Sequence, residues 1–257
     1  MQTCDDLGNL ADEVPVALVF NGLSHAVMMA TPLHLEDFAL GFAITEGIVD
    51  QASQFYGVET IAHNDGFELQ IELASSCDFR LKERRRQWAG RTGCGLCGVE
   101  SLAQIHIDLP MAPKVWLDTD AMQRAHANLR ALQPLKQQTG STHAAAWSDA
   151  QGRIQLVRED VGRHNALDKL VGAMHRSHLD ASQGFVCITS RASFEMVQKT
   201  LLGGAGALTA VSAPTRRAAN LAQTHGLLLA GLVREDTFTA YSQMDRFMNH
   251  RTIASGA

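Results

Sequence analysis

Two cysteines three positions apart, Cys94 and Cys97 in the sequence GRTGCGLCG, are the residues of this chain best suited to chemistry. A thiolate is a nucleophile and a metal ligand, so the pair could bind a metal, exchange with a disulfide or carry sulfur. Gly93, Gly95 and Gly98 surround the pair, and glycine is favoured where a backbone bends freely or approaches another molecule closely. The spacing therefore predicts a thiol-bearing loop rather than a helix cap.

Each of the three chemistries makes its own demand on the rest of the chain. A structural zinc needs four ligands, so His143, His164 or Cys187 would have to complete the site through the fold. A thioredoxin-like pair opens a helix after a strand, whereas the segment before this pair is basic and polar. A persulfide carrier needs thiolate character, which Arg91 and the cluster Arg84–Arg86 would favour. On the residues alone, all three remain open.

The composition indicates the class of protein. The chain has 257 residues, 46% hydrophobic and 19% charged, which suits one large domain or a domain plus a smaller lobe. A net charge of -5 argues against a protein that coats nucleic acid or an anionic membrane. The sequence has neither a long apolar run nor a signal sequence at its start, so we expect a cytoplasmic protein. Five cysteines, an odd number, do not suggest a disulfide framework, and we interpret Cys4, Cys77 and Cys187 as incidental.

The first half of the chain predicts two hairpins and one helix. The hairpins turn at Asn21-Gly22 and at Asn64-Asp65-Gly66, because these residues favour tight turns between alternating strands. Residues 33–49 carry apolar side chains at helical spacing, and Thr31 before a proline predicts the helix N-cap.

The second half predicts strands alternating with helices, which implies a parallel sheet covered by helices. With right-handed crossovers this gives a three-layer α/β domain. The predicted boundary separates an N-terminal lobe, residues 1–110, from the α/β domain, residues 111–257. Helices are predicted at 119–132, 162–177, 193–207 and 215–226, and strands at 144–160 (two, around Gln151-Gly152), 184–190, 208–214 and 227–234, the last being the final strand.

Six motifs, in this order along the chain, resemble the formate dehydrogenase accessory sulfurtransferases, the FdhD family. They are TGCGLCG (92–98), STHAAAW (141–147), REDVGRHNALDKLVG (158–172), SRASFEMVQK (190–199), AVSAPT (210–215) and LLLAGLVRED (227–236). The resemblance covers about residues 13–241. It implies an α/β fold with a cytidine-deaminase-like three-layer domain, a smaller N-terminal α+β lobe and a homodimer.

The resemblance also implies a sulfurtransferase that formate dehydrogenase requires. A cysteine desulfurase would load sulfur onto Cys94 as a persulfide, with Cys97 as its essential neighbour. The sulfur would pass to molybdenum (or tungsten) bis-molybdopterin guanine dinucleotide before this cofactor enters the catalytic subunit of formate dehydrogenase. No permanent cofactor or metal, and no nucleic-acid or membrane partner, is expected. A zinc-binding or dithiol redox scaffold is the alternative.

The resemblance further implies a contact with the guanine nucleotide near the end of the last predicted strand. We expect the carboxylates of Glu235 and Asp236 to meet the guanine edge or to face away from phosphate, which they would repel. Zinc deaminases carry H-x-E before P-C-x-x-C, but here His143 is followed by two alanines and the cysteines lie upstream, so deaminase chemistry is not expected. The predicted contact residues are Leu232, Val233, Arg234, Glu235, Asp236 and Thr237.

Other polar residues at predicted strand ends are candidates with an alternative structural role. Asp160, Arg163 and His164 suit ligand contact, although Asp160 could equally cap the helix and pair with Arg163. Arg191 and Ser193 open another helix and predict an anion site by the same argument. His143 could contact the cofactor or satisfy buried backbone.

Overall fold

The structure is a computed structural model that describes residues 10–82 and 108–248. In these two ranges, no helix has both the length and the apolar character needed to cross a membrane. The helices are α1 (Leu35–Thr45), α2 (Thr119–Leu129), α3 (Pro134–Thr139), α4 (Arg163–Arg176), α5 (Phe194–Leu202) and α6 (Arg216–Thr224). The strands are β1 (Val14–Phe20), β2 (Leu23–Ala30), β3 (Phe55–His63), β4 (Gly66–Leu73), β5 (Leu117–Asp118), β6 (His143–Asp149), β7 (Ile154–Asp160), β8 (Gly184–Ile188), β9 (Ala207–Ala210), β10 (Leu228–Gly231), β11 (Thr239–Ser242) and β12 (Phe247–Met248).

The first sheet has the strand order β2-β1-β4-β3 and contains both predicted hairpins. Asn21 and Gly22 have φ values of 47° and 74°, the left-handed conformation that the tight turn between β1 and β2 requires. The two hairpins join through a parallel pairing of β1 with β4. The turn chemistry therefore located these strands correctly.

The second sheet has the order β11-β10-β9-β8-β6-β7, with β8, β9 and β10 parallel as predicted. Successive side chains of each strand point to opposite faces of the sheet. In β6, Ala145 and Trp147 pack towards α4, whereas Ala144 and Ala146 pack towards α2. Helices on both faces give three layers, and the predicted mixed α/β class is confirmed. The likeness to cytidine deaminases stays a prediction. One prediction is wrong: β10 ends at Gly231 and is not the final strand, because β11 returns antiparallel beside it.

Helix α1 packs between the first sheet and α4, and α4 packs on the second sheet. Two glycines let the helix backbones approach closely. A Cβ on Gly41 would lie 1.7 Å from the Asp168 carbonyl oxygen, and one on Gly172 would lie 1.9 Å from the Asp37 carbonyl oxygen. The α1–α4 crossing is therefore possible only where neither helix has a side chain.

The predicted start of α1 is wrong. The helix begins at Leu35 after His34, whose φ of 56° is left-handed, and Thr31 is not its N-cap. Instead the Thr31 N–H donates to Asp160 Oδ2 at 3.0 Å, and its hydroxyl accepts from the Val161 N–H at 3.2 Å. Thr31 thus ties the end of β2 to the end of β7, across the boundary predicted at 110/111, which itself stays a prediction.

Candidate functional site

The candidate residues that the structure describes lie along one edge of the second sheet. We call this the carboxyl edge; it comprises His143, the start of α4 (162–164) and the loops 189–193, 211–215 and 232–237. The predicted catalytic residues Cys94 and Cys97 lie outside the described residues, as does the arginine cluster before them. Their role stays a prediction.

The strand directions explain why these segments meet. The parallel strands β8, β9 and β10 all end at this edge, and the antiparallel β6 begins there. The Ala144 N–H donates to Thr189 Oγ1 at 2.9 Å, and His143 lies opposite Asp160 at the end of β7. Ligands of open α/β sheets gather at the carboxyl ends of the strands, so this edge is the expected binding side.

The predicted nucleotide segment 232–237 is held mainly by its backbone. Leu232 has a left-handed φ of 54° and an exposed side chain. The Val233 N–H donates to the Ala210 carbonyl at 3.1 Å, and the Arg234 N–H donates to the Thr237 carbonyl at 2.8 Å. The segment is therefore a defined turn anchored on the end of β9.

The position of Arg234 corrects the sequence prediction that it ends a strand, since β10 stops three residues earlier. Its Nη1 donates to the carbonyls of Val211 at 2.7 Å and Val233 at 2.9 Å, so part of the guanidinium bridges two loops. The side chains of Glu235 and Asp236 are exposed beside it. A cation and two carboxylates are thus available to a ligand at this end of the edge.

Gln123 of α2 lies under the segment and was not found from the sequence. In the amide orientation that satisfies both atoms, its nitrogen donates to the Glu235 carbonyl and its oxygen accepts from the Thr237 N–H, each at 3.3 Å. The amide therefore bonds one carbonyl and one N–H of the segment backbone, as a paired strand would. The available signal was a glutamine and a histidine three positions apart on α2, which share one helix face.

That histidine, His126, is neutral. The Thr209 hydroxyl donates to the Val186 carbonyl at 3.0 Å, so the 2.8 Å contact between His126 Nε2 and Thr209 Oγ1 is a donation by the imidazole. Burial, and then the charge of Arg234, lower the pKa of His126 to about 4. The floor under the segment is therefore uncharged at neutral pH.

At the other end of the carboxyl edge, His143, Arg163 and His164 lie near one another. Burial lowers the pKa of His143, and the charges of Arg163 and Lys136 add to the effect. The pKa of His164 falls to about 3 because of burial, followed by the charges of Lys199 and Arg163 and then by His143. Arg163 Nε and His164 Nε2 are buried, and neither has a hydrogen-bond partner among residues 10–82 and 108–248.

Asp160 has a structural role. Its carboxylate is fully buried and accepts from Lys169 Nζ at 2.6 Å, from the Gly162 N–H at 2.8 Å and from Asn165 Nδ2 at 3.0 Å. The predicted pairing of Asp160 with Arg163 is wrong, because Lys169 is the partner. Both carboxylate oxygens hold the β7–α4 junction and the end of β2.

The remaining candidates divide between helix start and core. Ser193 opens α5, as predicted: it is the N-cap residue, although its side chain caps no backbone N–H, and its hydroxyl donates to Glu195 Oε2 at 2.8 Å. Arg191 is exposed, and its role in anion binding stays a prediction.

Cys187 is buried in β8, where burial raises its pKa to about 12, so this thiol is inert. No group of three or more potential metal-ligating His, Cys, Asp or Glu side chains is found in the described part of the chain.

Comparisons with known proteins agree on one family. The model of the FdhD/NarQ family matches residues 11–248. The "Sulfur carrier protein FdhD" of Cupriavidus necator is 53% identical over 246 residues, which cover 95% of this chain and 85% of the relative. That of Variovorax paradoxus is 54% identical over 243 residues, with 94% and 87% covered. A crystal structure of a candidate formate dehydrogenase accessory protein from Desulfotalea psychrophila matches with a TM-score of 0.72 at 21% identity, covering 93% of this chain and 90% of that one. This last likeness indicates a shared fold.

Proposed function

Because this chain belongs to the FdhD/NarQ family, we propose that it is a sulfur carrier that serves formate dehydrogenase as an accessory protein. The observation that carries the proposal is the identity of about half of all residues, over nearly the whole chain, to relatives named sulfur carrier protein FdhD. A mixed α/β fold with a polar carboxyl edge is compatible with this function.

The proposed carrier residue is Cys94, with Cys97 as its neighbour. The Cys94 thiolate attacks the outer sulfur of a persulfide on a cysteine desulfurase, a new S–S bond forms, and the donor leaves as a thiolate. This loading step needs no external oxidant or reductant. The sulfur then passes to the molybdenum or tungsten of bis-molybdopterin guanine dinucleotide, which is the acceptor substrate. In this step the Cys97 thiolate attacks the Cys94 sulfur, a Cys94–Cys97 disulfide forms, and the outer sulfur leaves as sulfide for the metal; a cellular thiol reductant then restores both cysteines.

The proposed binding side for the acceptor is the carboxyl edge. The exposed carboxylates of Glu235 and Asp236 are acceptors of the kind that the N–H groups of a guanine edge require. Arg234 supplies a cation beside them, and the backbone turn of 232–237 is fixed before a ligand arrives. The homodimer and the cytoplasmic location stay predictions.

Mass spectrometry tests the carrier step. After incubation with a cysteine desulfurase and cysteine, the peptide that contains residues 94 and 97 should gain about 32 Da, one sulfur atom. Cys94→Ser should abolish the gain, and Cys4→Ser, the matched control, should leave it unchanged.

The proposal fails if the Cys94→Ser, Cys97→Ser double variant fully restores formate oxidation in cells that lack the native protein. Stoichiometric zinc, or turnover of a Cys94–Cys97 disulfide without sulfur uptake, would support a scaffold instead.

A further inference from the structure

We propose that His143, Arg163 and His164 form an oxyanion subsite that binds a phosphate group of a nucleotide-bearing ligand. The proposal rests on the proposed function and deepens it, because it locates the phosphates of the acceptor at the opposite end of the carboxyl edge from segment 232–237. It starts from two buried nitrogen atoms, the donor Arg163 Nε and the imidazole nitrogen His164 Nε2, which have no partner in the described part of the chain.

The nearby carboxylates are already engaged. Asp160 pairs with Lys169, and Asp168 pairs with Lys199 at 2.9 Å and accepts from the Thr45 hydroxyl at 2.6 Å. Glu159 accepts from the Leu135 and Lys136 N–H groups at 3.0 and 2.8 Å and from the Thr142 hydroxyl at 3.0 Å. Among the described residues, Arg163 therefore lacks the carboxylate partner that a half-buried arginine usually has.

The surroundings of the two imidazoles are positive. Apart from burial, the groups that lower the pKa values of His143 and His164 are Lys136, Arg163, Lys199 and, for His164, the other histidine. A buried donor without an acceptor costs about 1 to 3 kcal/mol. An oxyanion would accept from Arg163 Nε and, with the imidazole proton on Nε2, from His164.

Helix α4 adds to this preference for an anion. It has 14 residues and begins at Arg163, and its N-cap residue Gly162 supplies no capping side chain. The N–H groups and the positive dipole end of a helix N-terminus favour phosphate. The helix end supports the site, but the two buried nitrogen atoms that lack a partner among the described residues identify it.

The distance along the edge suits one elongated ligand. From β10, which precedes segment 232–237, to β6, which begins at His143, there are three strand-to-strand steps. At about 4.8 Å each, they span about 14 Å. A guanine nucleotide lying along the edge would place its base near Glu235 and Asp236 and its phosphates near Arg163, across the loops 189–193 and 211–215.

Calorimetry on the full chain tests the subsite with three probes: inorganic pyrophosphate, GDP and guanosine. Arg163→Met should weaken pyrophosphate and GDP by about tenfold or more, since a hydrogen bond from a charged donor is lost, and should leave guanosine unchanged. Arg153→Met, which removes the same charge from the exposed β6–β7 turn, is the matched control and should bind all three probes like the wild type. His164→Gln is the second variant and should weaken the same two probes.

The stability of the free protein separates a binding role from a structural one. Because Arg163 Nε has no partner among the residues that the structure describes, Arg163→Met should unfold at the same urea concentration as the wild type or a higher one when no anion is present. An unfolded or clearly destabilised variant would overturn the proposal, as would unchanged pyrophosphate affinity or a wild type that binds no pyrophosphate. If Cys94 takes up no sulfur while Arg163→Met still loses pyrophosphate, the subsite stands and the sulfur-carrier proposal falls.

Discussion

Two of the cationic side chains of helix α4, six residues apart, are in opposite situations. Lys169 is fully buried, and its ammonium donates to Asp160 at 2.6 Å and to the Thr31 carbonyl at 2.8 Å. Arg163, at the start of the same helix, has a buried Nε for which the described residues offer no acceptor. The first cation stabilises the junction between the two sheets, whereas the second contributes nothing to it.

The difference indicates which polar groups the fold itself needs. At the crossing of α1 and α4, a second lysine, Lys199, is likewise saturated by Thr45, Glu46 and Asp168. Both saturated lysines lie where elements from distant parts of the chain meet. The unsaturated arginine and histidine lie at the carboxyl edge, where a ligand is expected. An unpaired buried donor at such an edge is therefore a better guide to binding than a paired one.

The largest expected effect concerns the crossing of α1 and α4, beside which the paired Lys199 lies. Gly172→Ala should lower the free energy of unfolding by more than about 4 kcal/mol, because the new Cβ would lie 1.9 Å from the Asp37 carbonyl oxygen and force α1 away from α4. Urea denaturation measures the loss. Gly57→Ala, where a Cβ meets nothing within 4 Å, is the control. Equal stabilities for the two variants would mean that the crossing tolerates a side chain.

The second prediction compares the two cations directly. Lys169→Met leaves the buried Asp160 carboxylate without its counter-ion and should cost about 3 to 5 kcal/mol of unfolding free energy. Arg163→Met removes no paired group and should stay within about 0.5 kcal/mol of the wild type or exceed it. Urea unfolding of both variants at pH 7 measures the difference. Similar losses for both would erase the contrast within α4.

The third prediction concerns pH. The pKa of His126 is about 4 in the folded protein and 6.5 when unperturbed, so the unfolded chain binds a proton first as the pH falls. The contribution of neutral His126 to the free energy of unfolding is fully present above about pH 6.5. It decreases as the pH falls towards 4, by at most about 3 kcal/mol. His164, with a pKa of about 3, acts in the same direction.

His126→Gln keeps a donor for Thr209 and removes the titration, so stability measured by urea unfolding should fall less between pH 6.5 and pH 4. His63→Gln, at an exposed position at the end of β3, is the control and should keep the wild-type slope. A slope that His126→Gln leaves unchanged would show that the imidazole is not held neutral.

Local chemistry made part of this fold predictable. The residues Asn21-Gly22 set a turn whatever lies far away, and the strand–helix alternation of the second half determines a parallel sheet. That topology was enough to gather His143, Arg191 and segment 232–237 at one edge. The spacing of the cysteines identified the thiol pair, and the resemblance supplied its role, which stays a prediction.

Long-range pairing accounts for what the sequence did not predict. Thr31 and Asp160 are 129 positions apart, so a threonine before a proline was interpreted as a helix cap, and the partner of Asp160 was sought nearby, at Arg163. Lys169 is polar but fully buried, which no amphipathic pattern indicates. Gln123 likewise contacts a segment more than a hundred residues away. Such pairs depend on tertiary geometry, and single-sequence patterns contain only local preferences.

The smallest expected effect concerns the other end of the carboxyl edge. Gln123→Ala removes two 3.3 Å contacts to the backbone of segment 232–237 and should cost about 1 kcal/mol of stability, the usual range for such bonds. GDP affinity should fall only a few-fold, because the segment loses a support and the ligand loses no direct contact. Asn128→Ala, at an exposed position on the same helix, is the control. A tenfold loss of guanosine as well as GDP would make Gln123 a direct ligand contact, and a side chain that the fold already pairs would then bind at this end of the edge, unlike Arg163 at the other end.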